Sequence, residues 1–379
     1  MKNISRYKIE YGIIIPLILL AIISVITIYG ATDIIQSNVS NAFIKQTLWY
    51  VLGFGVAFII MFIGTDYLLK YAWIFYVIGV VSLLLLLFIG VPINNARCWF
   101  TIGDIATIQP SEFMKIILIL ILARVINDFN ERNSNPTIKD ELQLLVKVFI
   151  IVFIPSILTF LQPDTGAVII YLAITFSMLF VSGIRFRWFA IIIGLILVLG
   201  LIGLGLYLFK SDLFVKIFGT NFFYRIDRLL DWQAKDGMQL SNALTAIGSA
   251  GLFGFGLGNT PIYFPEAHTD FIFSVFASNF GLIGSIVLVA LLIFFDLKII
   301  NIAVKTKKNV YKYVIAGIIG MILYQQIQSI GMNIGLLPIV GITLPFISYG
   351  GSSLISYMII AGIIFNLSNQ TIRYWNAKR

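Results

Sequence analysis

Glu266, His268 and Asp270 share a window of five residues in the stretch FPEAHTDFIF at 264–273, directly before a long apolar run. Three titratable side chains are thereby set at a water–lipid boundary. Desolvation of a carboxylate beside an apolar helix entry favours its neutral form, which raises its pKa and poises it as a general base. Capping the helix is the structural alternative for Asp270. His268 taken alone suits a structural role at least as well as a catalytic one. A second group lies in QPSEFMK at 109–115. Pro110 suits the first turn of a helix, and Glu112 and Lys115 then share one face at i, i+3. Burying either charge alone at the edge of a bilayer is costly, so the two form either a structural ion pair or part of a site. Upstream, NNARCWF at 94–100 contributes Arg97, and Asp164 in QPDTG at 162–166 has the position of a helix N-cap.

Two further segments could shape such a site. AIGSAGLFGFGLG at 246–258 carries five glycines. No βαβ unit frames them, so they fit close backbone packing or a re-entrant turn rather than a dinucleotide site. GLLP at 335–338 and LPFISYGGSS at 344–353 put two prolines and a glycine pair near a helix entry. Non-helical backbone of this kind is tolerated at membrane depth only against protein or a water-filled cavity, so the stretch is a candidate cavity wall.

The elements that must position these residues are membrane helices. Of the 379 residues, 59% are apolar and only 11% charged, against roughly a quarter charged in soluble domains. Mean hydropathy is +0.98. Ten runs are long and apolar enough to serve as spans, at about 11–31, 43–63, 71–90, 110–127, 143–160, 166–182, 187–209, 271–295, 312–333 and 346–368. The first is too long for a cleaved signal and is expected to be retained. Ten spans put both termini on one side. That side holds 18 of the 26 Lys and Arg, so the positive-inside rule places both termini in the cytoplasm. Residues 210–270 then form a large outer loop between the seventh and eighth spans, expected to contain short helices, one of them over 223–233. The chain reads as all-α, a polytopic membrane protein of about ten transmembrane helices in one domain, 1–379.

Composition also excludes. One Cys and one His leave too few ligands for a Cys/His zinc site, an iron–sulfur cluster or a bis-His haem. No GxxxxGK[ST] stretch occurs, which speaks against a P-loop ATPase. The net charge of +9 is scattered among short inner loops, which fits topology and leaflet electrostatics rather than nucleic-acid binding. A transporter, a lipid-handling enzyme and an assembly scaffold all remain open at this level.

Taken together and in order, FPEAHTDFIF at 264–273, LPFISYGGSSL at 344–354, QPSEFMK at 109–115 and AIGSAGLFGFG at 246–256 resemble the SEDS family (shape, elongation, division and sporulation) of bacterial peptidoglycan polymerases. The stretch IGMNIGLLP at 330–338 is more similar to the RodA, elongation branch, as is the short amino-terminal tail. The resemblance implies a lipid II-dependent, inverting glycosyltransferase at the outer face of the bacterial cytoplasmic membrane, building β-1,4-linked glycan for cell shape. Asp270 matches the family aspartate and would act as general base. Arg97 and Lys115, with Arg225 or Arg228, would support the departing lipid diphosphate. Glu112, Glu266 and His268 would line the substrate site, and a divalent cation (Mg or Mn) would share the charge. Lipid II and the nascent glycan on undecaprenyl diphosphate would be substrates. A class B penicillin-binding protein would be the partner.

Three departures stand against the family pattern. Cys98 stands where a second Arg is common, Ser278-Asn279 where acidic residues are common, and QPDTGA ends in Ala167. A lipid-linked precursor flippase and a catalytically idle scaffold for a transpeptidase are the competing expectations.

Overall fold

The computed structural model describes residues 10–32, 41–93, 96–102, 106–220, 223 and 238–378. Helices dominate it. They are α1 (Tyr11–Gly30), α2 (Ala42–Ile63), the short α3 (Thr65–Lys70), α4 (Ala72–Ile89), α5 (Pro110–Arg132), α6 (Ile138–Leu161), α7 (Thr165–Val181), α8 (Phe186–Phe209), α9 (Ser211–Phe218), α10 (Met238–Ser249), α11 (Ile272–Lys305), α12 (Asn309–Asn333) and α13 (Gly351–Lys378). Each of the ten apolar runs corresponds to one helix. Among the described residues, eight helices are long and apolar enough to cross a membrane, and α7 is a shorter apolar one. The exception is α5, which carries Glu112, Lys115 and Arg124. Protein surrounds it: α4, α6, α7, α12 and α13 all pack against it. Burial among other helices lets a span carry charge that lipid would reject. By contrast, α8 exposes nearly all of its apolar side chains beyond Phe189, as a helix in lipid can.

The glycine-rich segment explains a break in α11. Gly281 has φ 66° and ψ −164° in the middle of that helix. The backbone groups freed there bond to the loop instead. Phe255 N–H donates to Ser278 O, Gly256 N–H to Asn279 O, Leu282 N–H to Gly251 O and Ile283 N–H to Leu252 O. The two backbones touch, because a Cβ on Gly281 would lie 2.4 Å from Gly254 N. Only glycine at both positions permits this approach. Ser278 and Asn279, the departures from the family pattern, are buried here rather than in the site, and Asn279 Oδ1 accepts from Thr260.

The architecture is all-α, as expected, and three details refine it. Beside the helices, Val91–Ile93, Ala96–Ile102 and Ala106–Ile108 form an antiparallel three-stranded sheet, β1-β2-β3. The last long helix starts at Gly351, not 346, because Phe346 has φ 63° and residues 344–350 turn back into the bundle. The eighth span continues past 295 to Lys305. The long loop does contain helices, α9 and α10; the helix expected over 223–233 falls, apart from Phe223, outside the described residues.

Candidate active site

Asp270 ends a tight turn just before α11. Glu266 sits at φ 54°, and its carbonyl accepts from both Thr269 N–H and Phe271 N–H. The turn is held from two sides. Asn333, fully buried at the end of α12, donates from Nδ2 to Asp270 O (2.8 Å), while its Oδ1 accepts from Ser274 N–H and Oγ. Ser348 Oγ donates to Thr269 O (2.7 Å), and Tyr349 N–H to His268 O (2.9 Å). The Asp270 carboxylate does not cap α11. The N-cap position belongs to Phe271 and makes no side-chain bond. Among the described residues no donor reaches the Asp270 side chain, so burial, and next the nearby Glu266 charge, push its pKa up to about 7. Burial lowers the pKa of His268, with Glu266 opposing.

Facing this turn is the start of α5. Lys115 Nζ donates to Glu112 Oε2 at 2.6 Å, and Ser356 Oγ donates to the same oxygen at 3.2 Å. Lys115 is 0% exposed and its ammonium lies 5.3 Å from the centre of the Tyr357 ring. Asp164 caps α7, as its position suggested, accepting from Ala167 N–H. It also accepts from Gln109 Nε2 and Ser111 Oγ, both at 3.0 Å, so it fastens α7 to α5. Burial raises its pKa, and these donors oppose the rise.

A cavity of about 880 Å³ opens between these groups. Asp270, Glu266, His268, Glu112 and Asp164 all line it, together with Val340–Thr343 and Tyr349–Ser353. The proline- and glycine-bearing stretch is therefore its wall. Gly341 lies so close that a Cβ there would sit 3.4 Å from Asp270 Oδ2. The cations expected at a departing diphosphate are placed differently. Lys115 is sealed behind Glu112 and does not reach the cavity, because α5 is packed on all sides at that depth. Arg97 is exposed and outside the lining, while its neighbour Cys98 is buried and donates to Gln162 O. Burial raises the Cys98 pKa to about 12. Arg225 and Arg228 fall outside the described residues. Lys45, Trp49 and Trp99 line the cavity without having been singled out; nothing in their local sequence marks them. Among the described residues no group of three or more His, Cys, Asp or Glu side chains could hold a metal ion, so the expected divalent cation has no ready protein cage.

Comparison with known proteins agrees with this architecture. A family model described as "Cell cycle protein", covering the FtsW, RodA and SpoVE proteins, matches residues 11–373. The chain is 34% identical over 343 residues to a protein named probable peptidoglycan glycosyltransferase FtsW from Coxiella burnetii, covering 87% of each chain. It is 34% identical over 372 residues to stage V sporulation protein E of Bacillus subtilis, covering 94% of this chain and 95% of the other. Among solved structures, the rod shape determining protein RodA of Thermus thermophilus superposes with a TM-score of 0.67 at 25% identity, over 96% of this chain and 97% of that one. A chain of a peptidoglycan synthase complex that coordinates polymerization and crosslinking shares the fold, with a TM-score of 0.78 at 23% identity, over 96% and 98% of the two chains. With a match that runs from the first membrane helix to the last, the protein belongs to the SEDS family of polytopic membrane proteins.

Proposed function

We propose that this protein polymerises peptidoglycan glycan strands, joining lipid II units by β-1,4 glycosyl transfer with Asp270 as general base. The observation that carries the proposal is the Asp270 carboxylate itself. It lines a cavity large enough for sugars, caps no helix, and has its pKa raised by burial to about 7. A base poised there takes a proton at neutral pH. The acceptor 4-hydroxyl oxygen attacks the donor anomeric carbon, the bond from that carbon to the lipid diphosphate breaks, and the hydroxyl proton passes to Asp270. Inversion of the α-linked donor follows from one displacement, without a carboxylate nucleophile. Relatives named peptidoglycan glycosyltransferases support the activity.

On this proposal the charge distribution puts both termini in the cytoplasm and the cavity outside, where lipid II is used. A class B penicillin-binding protein supplies cross-linking, in keeping with the related chain that works within a synthase complex. A role in cell elongation rests on the IGMNIGLLP stretch at 330–338. Depletion in the parent organism tests that role: rounded cells support elongation, whereas filaments, as the FtsW-named relatives would suggest, overturn it.

Polymerisation of lipid II by the purified chain with its transpeptidase partner, the partner's own activity blocked, tests the reaction. Long glycan from the unaltered chain and a loss of at least about a hundredfold in Asp270→Asn are expected. Equal product from both would remove Asp270 as the base. No product from either complex would move the function to lipid transport or scaffolding.

A further inference from the structure

We infer that Lys45 binds the diphosphate of a lipid-linked substrate in the cavity. This rests on the proposed glycan-polymerase reading and names a substrate contact within it. The lining side chains that carry formal charge are, among the described residues, four carboxylates (Glu112, Asp164, Glu266, Asp270) and Lys45. Lys115 spends its charge on Glu112 behind the wall, and Arg97 is not among the lining residues. A diphosphate entering so acidic a cavity needs a cation. Lys45 is exposed, lines the cavity and has no ion pair, hydrogen bond or ring partner among the described residues. It stands on the first turn of α2, whose N-cap Asn41 makes no side-chain bond.

The backbone beside Lys45 is tied to the turn that carries Asp270. Its neighbour Gln46, fully buried, donates from Nε2 to Ser24 Oγ (3.1 Å) and Ser348 O (3.2 Å). Ser348 Oγ in turn holds Thr269 O, one residue before Asp270. The backbones that carry base and cation are thus joined by one chain of hydrogen bonds across α2, the 344–350 turn and the 264–271 turn. Trp49, one helical turn beyond Lys45, lines the cavity on the same face, with Gly351 packed against its indole.

Binding of undecaprenyl diphosphate to the purified chain, in the Asp270→Asn background that stops turnover, tests the inference by native mass spectrometry. Undecaprenol, the same lipid without phosphate, is the control. Lys45→Ala should weaken undecaprenyl diphosphate by about tenfold or more, as expected for loss of one charge-assisted hydrogen bond. Lys45→Arg should restore most of it, and undecaprenol should be unaffected. Inorganic pyrophosphate should compete in the Lys45 protein and not in Lys45→Ala, separating recognition of the diphosphate from recognition of its lipid. Unchanged affinity in Lys45→Ala, or an equal loss for both lipids, overturns the inference. In turnover, Lys45→Ala should raise the KM for lipid II more than it lowers kcat. If the unaltered complex makes no polymer, the polymerase reading falls while the binding comparison still decides the role of Lys45.

Discussion

At the scale of single residues, Asp270 and Lys115 are opposite solutions to burying a charge. Asp270 is buried and, among the described residues, without a donor, so its proton stays until about pH 7. Polymerisation should therefore rise with pH through about 7 and level off above it, and a pH–rate profile of kcat/KM checks this. The same shift has a stability sign. The folded pKa lies above the unfolded value near 3.9, so ionising Asp270 costs folded stability increasingly as pH climbs from about 4 to about 7. Asp270→Asn should raise Tm more at pH 8 than at pH 5. Lys115 is instead neutralised at 2.6 Å by Glu112. Removing one partner strands the other, and Lys115→Met or Glu112→Leu should each cost about 3–5 kcal/mol. The double change should cost less than either, as thermal unfolding in detergent would show. These two roles were unequally legible. A carboxylate ahead of an apolar run announces a desolvated acid. A Lys at i+3 from a Glu says only that they can pair, not which side of the wall they occupy.

At the scale of elements, backbone that is not helical does the positioning. The 344–350 turn would have no bonding partners in lipid, but Ser24 Oγ donates to Ile347 O, Tyr50 OH to Phe346 O, and Gln46 Nε2 to Ser348 O. Asn333 does the same for the entry to α11. Asn333→Ala frees the Asp270 carbonyl and the Ser274 N–H together, and should lower kcat more than it raises the KM for lipid II, with a fall in Tm. Gly281→Ala should be more damaging, because a Cβ there meets Gly254 and Leu252 backbone atoms that cannot move aside. Folded yield after detergent extraction measures that. The prolines and the glycine pair made the 344–350 turn visible in advance, whereas the break at Gly281 inside the eighth span was not expected. The three-stranded sheet was not visible, because strands of three to seven residues carry too little periodicity to register beside twenty-residue apolar runs.

At the scale of the whole molecule, the cavity and the basic loops are at opposite ends of the helices. The proposed orientation predicts that, in a Cys98→Ser background, a cysteine placed at Asp212 reacts with a membrane-impermeant maleimide in intact cells. One placed at Glu131 should react only after lysis. The reverse pattern would turn the molecule over and remove the cavity from the outer face. Both positions are on the surface, so accessibility reads topology rather than folding.

The sequence by itself determined the ten helices and the breaks between them, because hydropathy, proline and glycine act over a turn or two of chain. It also singled out Asp270, whose neighbours in the chain create the apolar entry that shifts it. Only the tertiary structure decided which charges meet the cavity. Gln46 reaches Ser348 across 302 positions, and Ser348 reaches Thr269 across 79. Those long-range bonds bring Lys45 and Asp270 to one cavity. The packing of α5 among its neighbouring helices hides Lys115, and Arg97 on β2 is exposed and outside the cavity lining. A side chain's type is local, but whether it faces substrate, protein or solvent depends on which distant segment packs against it.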